Sequence, residues 1–186
     1  MTTFPHPGKE NTNEALSLAM DYAKAHDLDL VLATCTGATV QAALAMAAEK
    51  DYKRPLVAVT HVYGMAEPGE NELPEHVRKD LEAAGVTVVT AAHALSGGER
   101  GMSKRFGGVS PVEVVAYALR MFGQGMKVCV EIGLMALDCG SIPYGKPVVA
   151  IGGTAYGADT ACVLTPAYTA NLLDTKVHTV LCKPWL

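Results

Sequence analysis

The chain has 186 residues, 49% of them apolar and 18% charged, with a formal charge of -4 at neutral pH. That length holds one domain with a core large enough to need no metal or disulfide, and the charge argues against nucleic acid or an anionic membrane as partner, because no cationic excess exists to release counterions or meet headgroups. The five cysteines, Cys35, Cys129, Cys139, Cys162 and Cys182, include no C-x-x-C pair and no histidine at finger-like spacing, so neither a disulfide framework nor a structural metal site is expected. Met1 to Lys9 lack the charged-then-apolar build of a signal peptide, and no apolar run reaches the roughly 18 residues of a membrane span. The expectation is a soluble protein of a reducing compartment, the cytoplasm.

In chain order, Ala15, Leu18, Ala19, Tyr22 and Ala23 form an apolar stripe after the capping residues Asn11 to Asn13, which predicts a helix ending near His26. Leu28 to Ala33 has strand length, and Thr34-Cys35-Thr36-Gly37 separates it from a second helical pattern at Val40, Ala43, Leu44 and Ala47. The unit repeats with a strand at Pro55 to Thr60, a helix opened by Pro74 and carrying Val77 and Leu81, and a strand at Val86 to Ala91. Ser110-Pro111 opens a further helix with Val112, Val115, Ala116 and Leu119 inward. Met126 to Cys139 has the length of a buried helix. On it Lys127, Glu131 and Asp138 share one side, turned to water or to a pocket. Pro147 to Ile151 is a fourth strand, and Ala161 to Thr165 and Val177 to Cys182 are expected as antiparallel additions at one edge. Apolar strands alternating with amphipathic helices imply a parallel sheet covered on both faces.

Ligands of open α/β sheets bind beyond the carboxyl ends of the strands, which singles out four connections. Thr34, Cys35, Thr36, Gly37, Ala38 and Thr39 offer hydroxyls, a thiol and backbone amides at a helix start, a phosphate cradle or a plain capping turn. Thr60 to Glu72 is long enough to cover a ligand. Its His61 is a base, a phosphate donor or a ring bonded to loop backbone, and the acids near Glu70 and Glu72 are assigned to solvent. His93 to Gly108 gathers Arg100, Lys104 and Arg105 with Ser96 among glycines, as a mobile lid on an anion, a solvated loop or a subunit contact. Gly152, Gly153, Thr154, Gly157, Asp159 and Thr160 form a glycine turn that lets backbone approach a ligand, or a simple hairpin. Cys35 is the one cysteine in a site-like setting, with no partner base fixed by spacing. Glu131 is a buried acid or the i+4 partner of Lys127.

Taken together, Gly8-Lys9-Glu10-Asn11-Thr12, Thr36-Gly37, Thr60-His61 with Pro68 to Glu72, Leu95-Ser96-Gly97 with Glu99-Arg100, Phe106-Gly107-Gly108 with Pro111-Val112-Glu113, Leu119 to Gln124 with Lys127 to Glu131, and Gly152-Gly153-Thr154 with Gly157 to Thr160 carry a resemblance. The chain resembles, nearly end to end, the stand-alone archaeal and bacterial proteins that are similar to the C-terminal α/β domain of pyruvate kinase. The resemblance implies a three-layer α/β/α fold with a mixed, mostly parallel sheet of central order 3-2-1-4-5. It also implies a phosphate-binding turn at Thr34 to Thr39 and a closing loop at Gly152 to Thr160. Cys35 stands where the resemblance implies a hydroxyl residue. The barrel that carries kinase chemistry is absent, so that activity is not inherited. The family's likeness to flavin mononucleotide binders makes FMN the candidate cofactor, with Tyr63, Phe106 and Tyr156 available to meet an aromatic ring.

The leading expectation is therefore a protein that binds a phosphorylated small molecule. The alternatives are a flavin-dependent oxidoreductase, or a lyase or isomerase of a phosphorylated substrate, with Cys35, His61 or Glu131 in catalytic roles. A third is a homo-oligomeric scaffold that assembles through the apolar Met126 to Cys139 segment.

Overall fold

In the computed structural model, which describes Met1–Leu186 throughout, seven strands form one sheet in the order β1-β7-β6-β5-β2-β3-β4. The strands are β1 (Thr2–Phe4), β2 (Asp29–Ala33), β3 (Leu56–Thr60), β4 (Thr87–Thr90), β5 (Val148–Gly152), β6 (Thr160–Thr165) and β7 (Lys176–Pro184). The helices are α1 (Thr12–His26), α2 (Ala38–Lys50), α3 (Glu75–Ala83), α4 (Gly98–Phe106), α5 (Pro111–Arg120) and α6 (Gln124–Asp138). Only β6 runs against the rest, pairing antiparallel with β5 and β7 while every other pair is parallel. Numbered from the first expected strand, the central five stand in the order 3-2-1-4-5, in an α/β fold of three layers. No helix is long and apolar enough to cross a membrane.

Strand alternation assigns the layers. Leu30, Leu32, Leu56, Ala58, Val149 and Ile151 join a cluster of 23 buried residues with α1, α2 and α3; Val31, Val57, Val59, Val148 and Ala150 join one of 19 with α5 and α6. Because the two clusters are nearly equal, neither face of the central strands meets water, and the strands are apolar at successive positions for that reason.

Three expectations are corrected. The Gly98–Phe106 part of the predicted mobile loop is helix α4, with none of its residues buried. It is tied down at Ser103, which donates to Glu99 O at 3.1 Å and to Glu113 Oε2 on α5 at 2.5 Å. The Met126 to Cys139 segment is helix as expected, but it is no subunit surface: twelve of the fifteen residues of α6 are buried against the sheet. Lys127 and Glu131 do share one side. Asp138, two turns farther along and exposed, instead accepts from the Thr169 amide at 3.0 Å. Strand β1 was not foreseen, since three residues carry no period; it is held by register with the far end of the chain, Thr2 opposite Cys182 and Phe4 opposite Pro184.

Candidate functional site

Sheet register builds the site. Ala33 of β2 lies opposite Val59 of β3, so Cys35 and His61, each two residues farther on, leave the sheet side by side. Cys35 Sγ lies 3.8 Å from His61 Nε2, within the longer reach of sulfur. On the opposite edge of the ring, Nδ1 lies 2.5 Å from Glu72 Oε2. The loop is held in place by Asn71, whose side chain donates to His61 O at 2.8 Å and accepts from the Leu73 amide at 2.8 Å. Glu72 is thus corrected from a solvated acid to the partner of His61, whereas Glu70 is exposed as expected.

Two histidines meet here in different protonation states. The hydrogen bond that the ring makes to Cys35, and after it the one to Glu72, push the pKa of His61 up to about 9 against the opposing pull of burial. His93 follows β4, its ring 5.3 Å from that of His61. Burial lowers its pKa, and its Nε2 accepts from the Val62 amide at 3.3 Å, so this ring is neutral.

Behind the histidines, Glu131 accepts through Oε1 from the Leu95 amide at 2.9 Å and from Ser96 Oγ at 3.1 Å, while Oε2 is paired with Lys127. Burial lowers the Lys127 pKa and the Glu131 charge offsets that effect. The carboxylate therefore fixes the turn after β4 in place and draws its own counter-ion from one helical turn away.

A cleft of about 360 Å³ opens over the carboxyl ends of β2, β3 and β5. Its centre lies between β2, whose carboxyl end feeds α2, and β5, whose carboxyl end turns back into β6. Thr34, Cys35, Thr36, Ala38, Thr39, His61, Ser96, Arg100, Glu131, Gly153 and Gly157 line it. Gly37 does not. It caps α2 at φ 97°, where a Cβ would stand 2.5 Å from Val77 Cγ1, so the turn needs a glycine there. Gly152, Thr154, Asp159 and Thr160 lie behind the lining, in the hairpin between β5 and β6. There Asp159, fully buried, accepts from the Gly8 and Thr154 amides at 3.2 Å each and from Thr160 Oγ1 at 2.7 Å. Lys104 and Phe106, on α4, and Tyr63, in the loop after β3, lie outside the cleft lining. Tyr156 is in the lining.

Sequence reasoning gave no site role to Lys9, Thr12, Met65, His93, Arg120 and Gln124, which also line the cleft. Lys9 and Thr12 fall in the Gly8 to Thr12 stretch, and Arg120 and Gln124 in Leu119 to Gln124, so the signal was present in the motifs without the path of chain that makes it a site. Arg120 Nε donates to Gln124 Oε1 at 2.8 Å, bracing the pair across the break between α5 and α6. A scan against models of known protein families found no match for the chain.

Proposed function

We propose that this cleft binds a phosphorylated small molecule, with FMN the leading candidate, and that the protein has no pyruvate kinase activity. One observation carries the proposal: in a chain of net charge -4, three cations without an ion-pair partner, Lys9, Arg100 and Arg120, line a single cleft. The start of α2 adds to it. The amides of Ala38, Thr39 and Val40 have no intrahelical acceptor, and the exposed Thr36 hydroxyl stands beside them. Tyr156 supplies an aromatic wall to meet a ring, and the volume lies in the usual range for small-molecule sites.

Self-association and a cytoplasmic location belong to the same proposal. The outer face of α5, with Val114, Tyr117 and Met121 exposed along one side, supports the first; five free cysteines support a reducing compartment.

Calorimetric titration with inorganic phosphate and with FMN tests the binding, alongside the visible spectrum of freshly purified protein. Thr36→Val should weaken phosphate binding several-fold through loss of one hydroxyl donor, roughly 1 kcal/mol. Unchanged affinity in that variant removes the turn from the site. No binding of either ligand by the unaltered protein defeats the proposal.

A further inference from the structure

We infer that Cys35, His61 and Glu72 form a nucleophile relay for acyl transfer, in which Cys35 Sγ attacks the carbonyl carbon of an ester or thioester. The relay goes beyond ligand binding. It shares the Ala38 and Thr39 amides with the proposed anion site, and the expectation that a good substrate carries an anionic group rests on that site's cations.

The geometry separates a relay from a metal chelate. The donor atoms of the three residues lie within 4.8 Å of one another. Yet the thiol meets Nε2 and the carboxylate meets Nδ1, the two nitrogens whose lone pairs diverge. A metal takes one of those nitrogens and needs its other ligands on that same side. A thiol on one nitrogen and an orienting carboxylate on the other is instead the order of nucleophile, base and orienter. With the sulfur 3.8 Å from Nε2 and Glu72 on Nδ1, His61 is the group placed to carry the proton between Cys35 and the substrate.

The surroundings favour a carbonyl over a phosphoryl centre. Thr34 to Thr39 contain neither Arg nor Lys, so the donors nearest the nucleophile are backbone amides, which suit a single oxyanion. A tetrahedral acyl intermediate develops one oxyanion, which two amides at a helix start can hold. Ala38 and Thr39, both in the cleft lining, provide such amides.

In the first step the Sγ–C bond forms, the C–O or C–S bond to the leaving group breaks, and the His61 proton passes to the leaving atom. In the second, His61 Nε2 takes a proton from water, hydroxide adds to the thioester carbon, and the acid leaves, freeing the Cys35 sulfur while the proton taken from water stays with the Cys35–His61 pair. No oxidant or co-reactant beyond water is needed.

The test uses 4-nitrophenyl acetate, an uncharged ester, so that its outcome does not depend on Lys9, Arg100 and Arg120, the cations of the anion site. The chain carries its own reference in Cys139, an exposed cysteine that no histidine contacts. Expected are a burst of nitrophenolate of one equivalent, an acetyl group located on the Cys35 peptide by mass spectrometry, no burst in Cys35→Ser, and a burst retained in Cys139→Ser. His61→Asn should slow acylation at least 100-fold, by about the usual worth of a positioned base, while iodoacetamide labels Cys139 at an unchanged rate as the check on folding. Glu72→Gln tests a positioning role: it should move the alkaline limb of the pH profile to lower pH, which a purely structural part leaves in place. Cys35, Glu72 and His93 are the groups facing the titrating ring. Acylation of Cys35 no faster than that of Cys139, an unchanged rate in His61→Asn, or one zinc ion per chain bound through these three residues would each overturn the relay. Competition by inorganic phosphate is a separate arm, and its failure touches only the anionic handle.

Discussion

Gly125, in the first turn of α6, lies so close to Thr160 at the start of β6 that a Cβ on the glycine would stand 2.1 Å from the threonine's Oγ1 and 2.8 Å from Asp159 Oδ1. The close approach lets α6 sit down on the sheet while Asp159 still reaches Gly8 and Thr154. Gly125→Ala should therefore cost about 2 kcal/mol, the usual scale of overpacking a rigid contact. Gly101 is its control: in mid-α4 a Cβ meets nothing within 4 Å. Gly101→Ala should raise stability by roughly 0.5 to 1 kcal/mol through helix propensity. Urea denaturation of the two variants measures both signs.

Lys127 and Glu131 are the buried ion pair of the chain, with side chains 5% and 7% exposed. Lys127→Met should cost about 3 to 5 kcal/mol, because it removes the counter-ion of the buried Glu131 carboxylate. Lys127→Met combined with Glu131→Gln keeps the acceptor for Leu95 and removes the stranded charge, so the double variant should be more stable than the single one. The same denaturation experiment reads the difference.

What could be read from the sequence was what adjacent residues encode. The helix start at Ser110-Pro111 forms a full capping box, with Ser110 Oγ accepting from the Glu113 amide and Glu113 Oε2 accepting from the Ser110 amide. The apolar runs became strands, and the hydroxyl-rich turn after the first of them lies in the cleft, because strand ends and helix starts are local events. Glu72 was not legible as a partner of His61. Ten residues of loop separate them, and its path depends on Asn71 bonding back to the His61 carbonyl. Helix α4 was hidden for another reason: two glycines and a polar sequence weaken its own propensity, and its tie is to Glu113 on the following helix. Lys9 and Arg120 were invisible as site residues because only the folded sheet brings the segment before α1 and the end of α5 to one rim.

Arg100 and Lys104 lie one turn apart on the exposed helix α4, yet only Arg100 lines the cleft. Arg100→Gln should weaken phosphate binding about tenfold, the worth of one charge-assisted contact at a wet site. Lys104→Gln should leave the affinity within experimental scatter. Titration calorimetry at two salt concentrations checks this, and added salt should shrink the Arg100 effect because the guanidinium is exposed.

Tyr117 and Met121 are 66% and 78% exposed on the outer side of α5, next to Val114. If this face meets a second copy, Tyr117→Glu with Met121→Glu should convert the assembly to monomer while leaving the circular dichroism unchanged, since neither side chain enters the core. Analytical ultracentrifugation distinguishes the two species. A monomer in the unaltered protein removes self-association from the proposal.

His61 holds its proton up to about pH 9, against 6.5 for a free ring, because the folded chain sets Cys35 on one nitrogen and Glu72 on the other. Below pH 6.5 the ring is protonated whether the chain is folded or not, and the stabilisation by its partners is complete. As pH rises from 6.5 toward 9 the unfolded ring gives up its proton while the folded ring keeps it, so the contribution shrinks; above about 9 it is gone. The ring is partly open to solvent, 35% exposed in its side chain, so the effect is a modest slope in the stability curve. Urea midpoints measured below 6.5, between the two values and above 9 should decline in that order, and His61→Asn should flatten the decline. A slope that survives His61→Asn unchanged assigns it to another group and dismisses the ion-paired ring.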